Sequence, residues 1–204
     1  MIADKPSFPT RRAQAEHNRD KILAAARVAF AQKDAEVSMA EVSRRAGVGM
    51  ATLYRNFPGR RELLEALYTD EVNAVCDAAE TVEGKTPGAR LETWLHRFFA
   101  FFNSKHHVAE LLKHVNDDVA PFLSTNRSRV LAAGRPLLIA AQQAHEIRED
   151  LTLEQILHMV IAIATIPGDP SYVEPILQAA LDGLRSRADP SVQRDDRLDS
   201  AHKR

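Results

Sequence analysis

The stretch from Ser38 to Phe57 limits what this chain can fold into more than any other, because it holds two short apolar-periodic runs divided by one glycine, Gly47. Ser38 followed by Glu41 fits a capping box, in which the hydroxyl accepts from a backbone N–H and the carboxylate reaches back, so a helix is expected from Met39. Gly47 after Ala46 supplies the permissive backbone of a sharp turn, and periodicity resumes with Val48, Leu53 and Phe57 over a helix from Gly49 to Asn56. Helices this short need each other's inner faces. Val42, Ala46, Val48 and Leu53 are the expected inner contacts, with the small Ser43 at the crossing. The pattern is that of a helix-turn-helix over Met39 to Phe57.

The remainder also reads as helix. Ile22, Ala25, Ala26, Ala29 and Phe30 stand at offsets 0, 3, 4, 7 and 8, one face of a helix from Ala15 to Lys33. After Pro58 and Gly59, the residues Leu63, Leu64, Leu67, Val72 and Val75 support a fourth helix to Val82, followed by a loop over Glu83 to Gly88. Helical spacing returns over Leu91 to Asn103, His106 to Val115 and Pro121 to Ile147. Thr152 with Gln155 forms a second capping-box pattern, opening an apolar helix to Ile166 that Pro167 and Pro170 stop. A last helix runs from Tyr172 to Ser186. No strand-like alternation appears, so the expected fold class is all-α, with a three-helix helix-turn-helix domain over residues 15–60 and a second helical domain over 61–187. Residues 1–14, closed by Arg11 and Arg12, read as a flexible basic arm, and 188–204 as a disordered charged tail.

Charge is unevenly placed. The formal net charge is −1, yet Met1 to Arg61 carries twelve Lys or Arg against six Asp or Glu, so the basic charge belongs to the segment with the helix-turn-helix. One cysteine, Cys76, cannot form an internal bridge, and no run has the pattern of a signal peptide or a spanning helix. A cytoplasmic protein with no membrane partner is expected. Cys76 is compatible with an oxidation sensor and, more commonly, with inert packing. No P-loop, Gly-rich dinucleotide turn, His-Glu-x-x-His or nucleophile elbow is present, so neither an enzyme nor a cofactor is expected.

On the outer face of the second short helix, Met50, Ala51, Thr52, Tyr54 and Arg55 surround Leu53, with Arg44 and Arg45 before it and Arg60 and Arg61 after it. Such groups suit phosphate contacts, which supply most non-specific DNA affinity, and Arg55 has the length to reach a guanine edge. Ala46-Gly47-Val48, Thr52-Leu53-Tyr54 and Phe57-Pro58, taken in that order, resemble the signature of the TetR (tetracycline-repressor-like) family across Arg19 to Leu67. The resemblance implies that the positions of Thr52 and Tyr54 touch the DNA backbone, and that Arg60 stands where the family usually has a lysine doing likewise. Two positions depart from the family pattern: Lys33-Asp34 replaces a glycine after the first helix, and Gly49 replaces a polar residue before the recognition helix. Gly49-Met50-Ala51 offers few hydrogen-bonding side chains to bases.

The same resemblance implies a C-terminal ligand-binding and dimerisation domain, hence a homodimer on a roughly palindromic double-stranded operator and release by a small-molecule effector. Ile156, Val160, Ile161 and Ala164, with Leu177 and Leu181, are the expected dimer surface; internal core fits the same pattern. Trp94, Phe98, Phe99 and Phe102 belong to a cluster of five aromatics within nine positions, out of twelve in the chain, dense enough to line a pocket or to pack as core. His107, His114 and Asp118 share helical offsets of 0, 7 and 11, but exposed histidines on a polar face are the commoner case and no metal is expected. Two other classes fit less well: a helical enzyme using the C-terminal cavity, and a ligand-independent architectural DNA-binding protein.

Overall fold

The structure is a computed structural model that describes residues 10–30, 37–115 and 118–186, and only the backbone of 103–107. Residues 1–9, Lys33-Asp34, the His107 side chain and the tail from Ala188 therefore lie outside the described residues. Eight α-helices follow in order among them: α1 (Arg11–Phe30), α2 (Met39–Ala46), α3 (Met50–Asn56), α4 (Arg60–Thr81), α5 (Pro87–Val115), α6 (Ala120–Gln143), α7 (Leu153–Ala164) and α8 (Pro170–Asp182). They divide into two compact units, residues 1–77 with 100–130 and residues 78–99 with 131–204. Among the described residues no helix is long and apolar enough to cross a membrane.

In the first unit the apolar stripes of the short helices meet α1 and α4. Ile22, Ala26, Val42, Leu53, Leu63, Leu64 and Leu67 have no exposed surface and form one cluster with Phe57. Tyr68 joins the edges of Phe101 and Phe122 at centroid distances of 6.3 and 5.7 Å, and burial pushes its phenol above the ordinary value. Arg27 ties α1 to α4 by donating to Glu71 at 2.5 Å and to Asp70 at 2.6 Å. Arg11 and Arg12 are not in an arm. They form the first turn of α1, where Arg12 donates to Glu16 at 2.9 Å.

In the second unit the Thr152 capping box closes as expected, with Thr152 accepting from the Gln155 backbone and the Gln155 side chain accepting from the Thr152 N–H. Pro170 does not simply stop α7. It opens α8, with Asp169 as the cap accepting from Tyr172 N–H at 3.1 Å, and the Ser171 hydroxyl with that amide holds the Asp169 carboxyl below its usual range. The expected break between Asn103 and His106 is absent, because that stretch holds neither glycine nor proline and α5 runs through it. Glu146 accepts from the Thr86 hydroxyl at 2.5 Å and Gly88 N–H at 2.8 Å, capping the start of α5. Glu92 on α5 accepts from Gln178 at 3.1 Å and from Arg185 at 3.4 Å, fastening α8 and its end to α5.

Trp94 is fully buried, stacks on Phe98 at 6.1 Å, and lies against the backbone of α6 where Gly134 has no side chain. A Cβ on Gly134 would stand 2.6 Å from Trp94 Cζ3. In an open helix Gly→Ala stabilises by about 1 kcal/mol. Here the overlap should reverse the sign, so Gly134→Ala should lose about 1–2 kcal/mol in urea unfolding. An unchanged or raised midpoint would mean that Trp94 has free space to move into.

Candidate nucleic-acid interface

The α2–α3 turn is closed by backbone and side chain together. Gly47 adopts φ +65°, and its N–H bonds the Arg44 carbonyl at 3.3 Å while Val48 N–H bonds the Ser43 carbonyl at 3.2 Å, a Schellman ending of α2. Ser43, only 4 % exposed, donates its hydroxyl to the Val48 carbonyl at 2.6 Å. A small residue at the crossing was legible from the sequence; the hydroxyl bond across the turn was not. Val42 and Leu53 are fully buried and Ala46 and Val48 pack beside them, as the inner-face pattern requires.

With the inner face fixed, the other side of α3 is turned outward. Met50 is 39 % and Tyr54 46 % exposed, Ala51 and Arg55 are exposed, and Thr52 is partly so. Arg55 bends back, its Nε–H donating to the Ala51 carbonyl at 3.1 Å, and Asn56 donates to the Thr52 carbonyl at 2.8 Å. Ser38 caps α2 by accepting from Glu41 N–H at 3.1 Å. The return half of the expected capping box is replaced. The Glu41 carboxylate instead accepts from Arg44 at 2.7 and 2.9 Å and from Arg45 at 2.6 Å, contacts whose signal was the i, i+3 and i, i+4 spacing.

Other cations of this segment serve the fold. Arg60 donates to the Val37 carbonyl and lies 5.1 Å from the Phe30 ring centre, so a change at Arg60 alters packing as well as surface charge. Arg19 lies 4.7 Å from the ring centre of Phe57. Neither contact has a local sequence signal, since each joins residues far apart in the chain.

Four residues of the expected dimer surface are corrected. Ile156, Val160, Leu177 and Leu181 are at most 3 % exposed within the chain itself, so their side chains already have a core and present nothing to a partner. Ile161 and Ala164 are partly exposed. Of the aromatic cluster, Trp94, Phe98 and Phe99 are buried and Phe102 is partly so. The Trp94 contacts with Phe98 and the Gly134 backbone are those of packed core. His114 Nδ1 lies 2.7 Å from the Glu110 carbonyl, and no group of three or more metal-ligating side chains occurs among the described residues.

Residues 22–67 match the family model of the bacterial regulatory proteins of the tetR family, and residues 86–186 match the SbtR-like transcriptional regulator C-terminal domain. A solved TetR transcriptional regulator from Streptomyces coelicolor is 34 % identical, over 83 % of this chain and 99 % of that one, with a TM-score of 0.72. The chain belongs to the TetR family of transcriptional regulators. Another TetR regulator, from Mycobacterium vanbaalenii, is 29 % identical over 85 % of this chain and 98 % of that one, with a TM-score of 0.70. The fatty acid degradation regulator FadR from Bacillus halodurans, at 19 % identity over 90 % and 100 % of the two chains and a TM-score of 0.63, shares the fold. No curated protein sequence matches the chain. As a TetR-family member the protein is a DNA-binding helix-turn-helix regulator, and α2–α3 is that element.

The arginine pair should be visible in the titration of Glu41. Hydrogen bonds from Arg44 and then Arg45 lower its carboxyl from 4.5 to about 2. A value depressed in the folded state means that the stabilisation is complete above the ordinary 4.5 and is lost as pH falls toward 2. Carboxyl NMR should give a Glu41 midpoint near 2, moving up toward 4.5 in the Arg44→Ala, Arg45→Ala double variant. A wild-type midpoint already at 4.5 would show that the clamp does not persist in solution.

Proposed function

We propose that the protein is a homodimeric repressor that grips a roughly palindromic operator through α2 and α3 and leaves it when a small-molecule effector binds the second helical domain. The observation that carries the reading is the segregation of α3: Leu53 is fully buried, whereas Met50, Tyr54 and Arg55 are exposed, as is Arg44 on α2. Thr52 and Tyr54 anchor the DNA backbone by their hydroxyls. Arg44, Arg45, Arg55 and Arg60 supply positive charge, Arg44 and Arg45 exchanging their Glu41 partner for phosphate oxygens. Met50 and Ala51 enter the groove. An effector drives release only by binding the DNA-free state more tightly than the DNA-bound one.

The dimer forms on the outer faces of α7 and α8. His158, Ala162 and Thr165 are exposed with Ile161 half-covered among them, and Tyr172, Pro175 and Ala179 are exposed on α8 at offsets 0, 3 and 7. The small Ala162 and Ala179 allow close helix approach across a two-fold axis. Sedimentation equilibrium should find twice the 22.7 kDa chain mass in the wild type and a monomer for Ala179→Arg. A monomeric wild type, or an undisturbed dimer in the variant, would exclude this interface.

The DNA contacts are tested by fluorescence anisotropy with the promoter region beside the protein's own gene. Affinity should fall steeply with salt, and Tyr54→Ala should weaken binding about ten- to a hundredfold, the loss of roughly one hydrogen bond to a charged group, without lowering the melting temperature. Arg44→Ala should reduce the log–log salt slope by about 1. Salt-independent binding, or full affinity in both variants, would sink the reading.

A further inference from the structure

The tip of the recognition helix presents carbon where base reading ordinarily uses nitrogen and oxygen. Met50 opens α3 with 39 % of its surface exposed, Ala51 is exposed next to it, and Gly49 before them has no side chain. The longer polar groups of the same helix are bonded to its own backbone, Arg55 Nε–H to the Ala51 carbonyl at 3.1 Å and Asn56 to the Thr52 carbonyl at 2.8 Å. Tyr54, one turn after Met50 on the same face, extends the exposed apolar strip with its ring. The exposed side chains of the same helix-turn-helix include the basic Arg44 on α2 and Arg55 on α3, which matches a polyanion and not an apolar protein partner. In the major groove the base edges offer hydrogen-bond donors and acceptors with one apolar exception, the 5-methyl group of thymine. A thioether is flexible and polarisable, and it gains by covering a methyl group that water otherwise surrounds.

We propose that Met50, supported by Ala51, determines sequence specificity by packing against the 5-methyl group of a thymine in the major groove. The proposal rests on the DNA-binding reading given above. It requires at least one thymine in each operator half-site at the step that α3 enters, and it makes the contact one of shape and apolar burial with no hydrogen bond. Loss of one buried methyl corresponds to about a fourfold fall in affinity.

The test uses the full chain and a pool of random duplex DNA from which it selects its preferred site. Each thymine of the selected site is then replaced singly by deoxyuridine, which lacks only the methyl group. Binding is measured for the wild type, Met50→Ala and Arg55→Ala, with circular dichroism confirming that both variants fold. One uracil position per half-site should weaken the wild type about fourfold; that sensitivity should vanish in Met50→Ala and persist in Arg55→Ala. The proposal is overturned if no uracil position weakens the wild type, if Met50→Ala keeps the full sensitivity, or if salt-dependent binding occurs with no sequence enriched. Absence of any DNA binding would instead overturn the preceding functional reading, and this one with it.

Discussion

Helices of eight and seven residues are too short to persist alone, so α2 and α3 exist only because their crossing is fixed and buried. Gly47 takes the left-handed turn at φ +65°, and the Ser43 hydroxyl reaches across it to the Val48 carbonyl, binding the end of one helix to the start of the next. Val42 and Leu53 then fill the same core as Ile22 and Leu64. With those two side chains inward, Met50, Tyr54 and Arg55 of the same short helix are left exposed. The exposed surface of α3 thus depends on core packing two residues deep.

The positive charge of the N-terminal segment is divided between two tasks. Arg19 and Arg60 lie over the rings of Phe57 and Phe30, and Arg27 holds α4 through Asp70 and Glu71, so these cations serve the packing of α1, α3 and α4. Arg44 and Arg45 share Glu41, a partner at the surface that a phosphate can replace. A count of basic residues therefore overstates the charge available to DNA. On the proposed reading, structural arginines hold the helix-turn-helix unit together while the exchangeable Arg44 and Arg45 engage DNA.

Much of this was legible in the sequence where the signal is local. Ser38, Gly47 and Thr152 mark helix ends by chemistry that operates over three or four residues, and the structure places caps at all three positions. The fold class followed from periodicity alone. What escaped was of longer range or depended on a partner. The polar run after Asn103 broke the apolar pattern, yet nothing in it forbids helix, so two expected helices are one. Ile156, Val160, Leu177 and Leu181 are as apolar as an interface requires, and hydropathy does not distinguish a partner chain from the chain's own core. Pro170 was read as a stop because proline ends helices, whereas Asp169 before it makes it a first residue. At the tip of α3 the sequence offers few polar groups, and with Arg55 and Asn56 bonded to their own helix's carbonyls the side chains exposed there, Met50 and Ala51, are apolar.

Hydroxyl-radical footprinting of the side chains, with and without the selected operator duplex, tests the central claim that α3 is the DNA-reading surface. Met50 and Tyr54 are both exposed and readily oxidised, and Ile139, 45 % exposed on α6 and outside both proposed interfaces, is an internal reference. The account predicts that DNA protects Met50 and Tyr54 and leaves Ile139 unchanged. Operator binding that leaves Met50 and Tyr54 as reactive as in the free protein would contradict it.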